Sequence, residues 1–277
     1  MLRLKLQVRS HGYGILRHMQ SGEYISDRWL VEIVRGICEK RGIRLKMFSD
    51  DWIMELGNKQ HIARVIGYKF ELNNSVAAQI ASDKVAASQI MQVEAVPVIA
   101  HSLVRTKIDH KYDWSIEYAP LVVKPLTGTS GHGVRLFDDQ SSAEQWMRQK
   151  GIEAWAVSPF VDIVCETRLI LLDDEVLLAY DKIPQSREGL VMFNLGKGAS
   201  PQDISPTKVQ VEIAQRARQA IGLRLCAVDL VETREGEIKV LEVNDGIMME
   251  YYMRVSSAHK SRARTVYERI IDTMLKK

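Results

Sequence analysis

The sequence predicts a mixed α/β (α+β) protein of two or three small lobes, in which short hairpins alternate with amphipathic helices. Three observations lead there. The chain has 277 residues, 46% of them apolar, more than one compact core of about 100–150 residues requires. Paired strand-like runs flank polar turns at residues 173–175 and 232–237. Helical stripes with apolar residues three and four apart separate those pairs.

Taken in order, residues 2–8 alternate like a half-buried strand. Ser26 then opens a helix with Trp29, Leu30, Ile33, Val34, Ile37 and Cys38 on one stripe, closed by Gly42. Residues 43–48 form a second strand, so the start of the chain suggests a small α/β lobe with a parallel pair. A further apolar alternation over 61–72 ends at Asn73-Asn74. Residues 77–91 are alanine-rich and read as one helix, with Ser82-Asp83-Lys84 in it or near its start.

Residues 121–125 are a β-rich run, 126–133 are rich in glycine and hydroxyls, and Val134 to Phe137 resume the strand pattern, which makes a hairpin with a glycine-rich tip. Ser141-Ser142-Ala143-Glu144 spells a capping box opening a helix that ends at Gly151. The apolar run 154–161 holds Pro159 and reads as an edge or connecting strand. Runs 168–172 and 176–180 make a hairpin. Residues 194–206 are the longest stretch without periodicity, a feature of functional loops. Ser205-Pro206 starts a helix carrying Ile213, Ala214, Ala217, Ala220 and Ile221, stopped by Gly222. Strands at 225–231 and 238–243 follow, and a last helix bears Val266, Ile270, Ile271 and Met274.

Composition excludes several classes. A net charge of +3 is mild, and the one basic concentration, Lys260, Arg262 and Arg264, reads as a solvated helix face rather than a nucleic-acid footprint. Cys38, Cys165 and Cys226 have no metal or disulfide spacing and behave as small hydrophobes. The opening MLRLKLQVRS lacks the apolar core of a signal peptide, and no run approaches the about 20 residues of a membrane span. The chain reads as soluble and cytoplasmic.

Two constellations carry chemistry. Gly128, Gly131 and Gly133 alternate with Thr129, Ser130 and His132, which lets backbone N–H groups approach an anion. That composition also suits a plain flexible hairpin tip. Lys124, four residues earlier at a strand end, is within reach of a phosphate held there, or else extends its head into water. Neither the dinucleotide-binding nor the P-loop spacing is present. Asp229 lies in Ala-Val-Asp-Leu-Val, and Glu242 and Asn244 follow two apart on another strand, projecting to one face. Carboxylates in apolar strands are costly unless paired or metal-bound. Three hard oxygen donors suit magnesium carrying phosphate oxygens.

In order along the chain, Ser82-Asp83-Lys84, Lys124 with Gly128 to Gly133, Glu166-Thr167-Arg168, Asn194 to Gly198, Asp229, and Glu242-Val243-Asn244 resemble the ATP-grasp superfamily. The branch it is most similar to contains glutathione synthetase, cyanophycin synthetase and the glutamate ligases of ribosomal protein tails. The resemblance implies an ATP-grasp fold with a small N-terminal α/β lobe (1–80), a central subdomain with a glycine-rich lid (81–160) and a C-terminal antiparallel-sheet subdomain (161–277). It implies ATP with Mg2+, or Mn2+ in its place. Lys84 and Lys124 would contact phosphates, and Gly128, Thr129, Ser130, Gly131 and Gly133 would close over them. Ser158, Phe160 and Val161 would hold adenine, and Glu166 would lie near the ribose. Arg168, Lys182, Asn194 and Gly198 would border the reacting groups. Asp229, Glu242 and Asn244 would bind metal. Departures occur at Ser158-Pro159 in the hinge and at Asp245-Gly246, where the family often has Pro-Gly.

The chemistry so implied is a carboxylate–amine ligase that forms an acyl phosphate from ATP and then an amide bond, on an amino-acid or peptide substrate. A kinase on the same scaffold and a non-catalytic ATP-binding module are the alternatives. No nucleic-acid or membrane partner is expected, and relatives suggest a homodimer or homotetramer.

Overall fold

The computed structural model describes residues 28–106, 120–128, 133–187 and 190–276, with the backbone alone at 185–187 and 190–192. The strand expected at 2–8, the helix start at Ser26, and Thr129, Ser130, Gly131 and His132 of the glycine loop lie outside the described residues.

Helix α1 (Trp29–Arg41) buries Leu30, Ile33, Val34, Ile37 and Cys38, the stripe read from the sequence, and ends at Gly42 with φ of 66°. Beside it runs an antiparallel meander of β1 (Arg44–Phe48), β2 (Ile53–Gly57), β3 (Ile62–Ile66) and β4 (Lys69–Phe70). The partner described for β1 is therefore antiparallel. The expected parallel partner, 2–8, falls outside the described residues.

A second sheet has strand order β13 (Ser200–Asp203), β10 (Glu175–Ile183), β9 (Ile163–Leu172), β14 (Leu225–Thr233), β15 (Ile238–Asn244), with every neighbour antiparallel. Alternation along these strands makes two apolar faces. On one, Ile170, Leu172, Tyr180, Leu225 and Ala227 join α1, the meander and α7 (Ser257–Met274) in a single core. On the other, Leu169, Leu171, Ala179, Cys226, Val228 and Val243 pack under α2 (Ser75–Ser82), α3 (Lys84–Val93) and α5 (Lys208–Ile221). Residues before 80 thus share their core with the C-terminal sheet.

A third sheet, β5 (Ser102–Arg105), β8 (Ala154–Pro159), β6 (Leu121–Pro125) and β7 (Arg135–Phe137), packs on α4 (Gln140–Gln149) through Leu121, Val123, Met147 and Trp155. The β6–β7 hairpin is the one the sequence predicts. Strand β8 is internal, however, because Pro159 falls on its last residue, opposite Leu121, where its missing N–H costs the ladder little. A short β11 (Gln185–Arg187) and β12 (Leu190–Met192) hairpin completes the strands, and a four-residue α6 (Glu250–Met253) precedes α7.

Local capping chemistry corrects three helix boundaries. The helix expected over 77–91 is two helices, broken at Asp83, whose extended backbone lets its carboxylate accept from the N–H groups of Val85 and Ala86. Helix α4 is capped by Asp139 through Ser142 N–H rather than by Ser141. Helix α5 begins after Thr207, which forms a reciprocal box with Gln210, and not at Ser205-Pro206. The aperiodic stretch 194–206 contains a 3₁₀ turn (Leu195–Lys197) and edge strand β13.

Candidate active site

Strand register assembles the charged groups. Tyr180, Arg168, Asp229 and Glu242 are directly opposed on β10, β9, β14 and β15. Lys182, Glu166 and Asn244 lie two residues along their strands and so share that face. Asp229 is 1% exposed. Its carboxylate accepts from Arg168 Nε at 2.7 Å, from Arg168 Nη2 at 2.6 Å and from Lys182 Nζ at 3.0 Å. Lys182 also pairs with Glu166. The four groups therefore alternate in sign and sum to zero, which is how a buried charged site remains tolerable. Burial pushes Asp229 up, but Arg168 and Lys182 outweigh it and hold the carboxyl well below the usual range. Burial and Arg168 oppose the charge of Lys182, yet Asp229 and Glu166 keep its pKa above the ordinary value.

An ionised carboxylate offers about four lone-pair sites. Arg168 and Lys182 take three of those on Asp229, leaving one on Oδ2, where Asn244 Nδ2 lies 3.5 Å away. Asn244 Nδ2 also donates to Glu242 Oε1 at 3.1 Å. Glu242 and Asn244, whose NH2 donates to both carboxylates, stand at one edge of the row, and two carboxylates with an amide are of the hard-oxygen chemistry that fits magnesium. Among the described residues no group of three or more His, Cys, Asp or Glu side chains could by itself hold a metal ion.

Across the cleft stand the two lysines. Lys84 is the first residue of α3, placed there by the Asp83 cap, and its Nζ donates to Gly128 O at 2.9 Å. Lys124, near the end of β6, has its Nζ 3.1 Å from His101 Nε2. Burial lowers Lys124 to about 8, against the attraction of Glu242 and with the help of Lys84. Lys84 is lowered too, by burial, with Glu242 opposing. Glu242 thus acts electrostatically on both lysines. Gly133 has φ of 71°, and a Cβ there would lie 2.9 Å from Pro125 Cγ, so only glycine closes the hairpin without strain.

Other expected residues are arranged differently. Ser158 is buried in β8 opposite Val122, Phe160 is half-exposed and Val161 half-buried. The Phe160 N–H donates to Pro120 O, so one hinge donor is already used. Asn194 turns its side chain back to Gly196 N–H, and Gly198 ends the 3₁₀ turn in the left-handed region. That turn rests on Tyr251, whose ring would lie 3.0 Å from a Cβ on Gly196. No hydrogen bond joins Asn194 to the Arg168 row among the described residues.

His101 and the capping roles of Asp83 and Glu250 escape a reading of the sequence. His101 sits alone in an apolar run. Asp83 carried its capping spelling in sequence, but only the helix break makes it place Lys84. Glu250, 1% exposed, accepts from Trp29 and Leu30 N–H at 3.0 and 3.1 Å, capping α1 from across the molecule. The basic residues of the last helix lie partly exposed, as expected, and each is ion-paired: Lys260 with Glu32, Arg262 with Asp203 and Arg264 with Glu268.

An antiparallel sheet that carries carboxylates, together with a second antiparallel sheet that holds the β6–β7 hairpin, agrees with the ATP-grasp architecture. The chain belongs to the RimK-like ATP-grasp domain family, which it matches over residues 81–261. A probable alpha-L-glutamate ligase of Vibrio vulnificus is 29% identical over 209 residues, covering 72% of this chain and 66% of that protein. The ribosomal protein bS6–L-glutamate ligase of Escherichia coli O139:H28 is 32% identical over 185 residues, covering 63% of this chain and 59% of its own length. The chain therefore spans a little under two thirds of the length of these relatives. Among solved structures, D-alanine–D-alanine ligase of Bacillus anthracis superposes with a TM-score of 0.58 at 17% identity, over 74% of this chain and 70% of that one. A bifunctional glutathione synthetase of Pasteurella multocida does so at 0.54 and 15%, over 85% and 44%. At such identity the likeness is one of fold. Among the described residues no helix is long and apolar enough to cross a membrane.

Proposed function

We propose that this chain is an ATP-dependent carboxylate–amine ligase that activates a substrate carboxylate as an acyl phosphate and passes it to the amine of an amino acid or peptide, releasing ADP and phosphate. The observation that carries the reading is the register-aligned row of Arg168, Asp229 and Glu242, with Glu242 exerting attraction on both Lys84 and Lys124. Phosphoryl transfer needs fixed positive charge where negative charge is shared between entering and leaving oxygens. Lys84 and Lys124 supply it on the hairpin side, and Arg168, fixed in the plane of Asp229, supplies it on the sheet side. Glu242 and Asn244, with Asp229, would hold magnesium, which would neutralise phosphate charge when bound. Lys182 and Glu166 keep Arg168 and Asp229 in place by completing the neutral network. A hydrolysable intermediate needs water kept away, the role that the family resemblance assigns to the glycine-rich stretch between Gly128 and Gly133.

The named activities of the relatives support an amino-acid or peptide acceptor. The test is incubation with ATP, magnesium and a panel of amino acids and short peptides, following ADP, phosphate and product mass. Release that depends on both a carboxylate and an amine, with a product lighter by one water than its two components, supports ligation. A phosphorylated end product formed without an amine would make the chain a kinase, and tight ATP binding without turnover would make it a binding module.

A further inference from the structure

His101 belongs to none of the expected motifs, yet it is 5% exposed and every polar atom of its ring is engaged. Its Nδ1 lies 2.9 Å from the carbonyl oxygen of Ile99. A carbonyl can only accept, so Nδ1 carries the proton. The neutral ring then presents a lone pair at Nε2, and the atom it meets, 3.1 Å away, is the Lys124 ammonium, which can only donate. The two contacts agree on a single tautomer. The His101 backbone N–H is held as well, by Ser88 Oγ at 3.2 Å, and Ser88 lies on α3, the helix that opens with Lys84.

We infer that His101 is a positioning residue for nucleotide phosphate binding: its Nδ1-protonated imidazole accepts a hydrogen bond from Lys124 and fixes that ammonium in the cleft without neutralising it. The inference rests on the reading of Lys124 as a phosphate contact. Its physical basis is the choice of partner. A carboxylate in this place would pair with the lysine and cancel the charge that a phosphate needs. An imidazole lone pair removes one rotational freedom of a long side chain and leaves two N–H donors and the full charge for the ligand. Because Ser88 anchors the same residue to α3, the heads of Lys84 and Lys124 are set relative to each other through His101. Burial, with Lys124 adding to it, holds the imidazole at about 3, far below its ordinary value, consistent with a ring that stays neutral beside a cation.

Two substitutions separate positioning from mere packing. In His101→Asn the amide falls near the Nδ1 position and reaches Ile99 but not Lys124, whereas in His101→Gln it falls near the Nε2 position, where its oxygen can accept from Lys124. MgADP affinity by calorimetry should fall about 10- to 100-fold in His101→Asn, the worth of one hydrogen bond to a charged group. In His101→Gln it should stay within about 3-fold. Lys124→Met should weaken MgADP at least as much as His101→Asn. Equal losses in the Asn and Gln variants, or wild-type affinity in His101→Asn while Lys124→Met is weak, would overturn the inference and leave the phosphate role of Lys124 standing. Wild-type affinity in Lys124→Met would overturn both. Independently of any variant, the nitrogen shifts of His101 in the wild-type protein at pH 7.5 should report the Nδ1–H tautomer, and an Nε2–H or doubly protonated ring would refute it.

Discussion

Replacing Asp229 by Asn removes one negative charge and almost no volume from a group that is 1% exposed. The native carboxylate accepts two bonds from Arg168 and one from Lys182, and with Glu166 the cluster sums to zero. Asparagine keeps one acceptor but turns an NH2 toward cations that are themselves donors, and leaves a net buried charge of +1. Breaking a buried pair in this way costs about 3–5 kcal/mol. At about 2–4 °C per kcal/mol for a chain of this size, the melting temperature should drop by roughly 10 °C or more. The assay is calorimetric or urea unfolding of both proteins from pH 3 to 8. Because the folded pKa of Asp229 is depressed, its stabilisation is present above the unfolded value of about 3.9 and lost as pH falls through the lower folded value. The gap between the proteins should hold from pH 8 to about 4 and narrow below that. Adding Arg168→Met to Asp229→Asn should recover part of the loss, since the unmatched guanidinium leaves with it. A single variant within 1 kcal/mol of wild type at pH 7, or a double variant worse than the single, would refute the neutral-network account.

Three further outcomes follow from the geometry. Lys124 is protonated below about 8 in the free protein, so kcat/KM for ATP should fall on the alkaline side with a pKa near 8, and Lys124→Arg should move that limb up; a flat profile to pH 9.5 would contradict it. Glu250→Ala strips the cap from α1 inside the core and should cost about 2–3 kcal/mol in urea unfolding, with a cost under 0.5 kcal/mol counting against the long-range cap. Gly133→Ala must hold a left-handed backbone, worth about 1–2 kcal/mol of strain, against Pro125, and should raise the KM for ATP at least 10-fold; an unchanged KM would show that this hairpin does not cover the phosphates.

Period-two alternation and the Glu-x-Asn spacing made it legible that Glu242 and Asn244 share a face, but not that Asp229 meets Glu242: the register that runs from the turn would set Leu241 opposite Asp229, and an irregularity between Asp229 and Leu230 brings Glu242 there instead. The apolar stripes of α1, α5 and α7 were readable for the matching helical reason. Helix boundaries were less so. Asp83, Asp139 and Thr207 cap where a side chain can fold onto its own backbone, and neighbouring Ser141 and Ser205 spell the same signal. The fixed position of Lys124 was hidden for a different reason: its partner His101 is 23 residues away, and α1's cap Glu250 is 220 from Leu30. Tertiary hydrogen bonds of that kind leave no local pattern in a sequence.

The ligase reading is tested most directly by oxygen transfer. With the accepting carboxylate labelled in both oxygens with 18O, an acyl-phosphate route must move one labelled oxygen into the phosphate released with each amide bond. Mass spectrometry of that phosphate should therefore show one 18O per turnover, and more slowly in Arg168→Met. Phosphate released without label while amide accumulates would contradict the account.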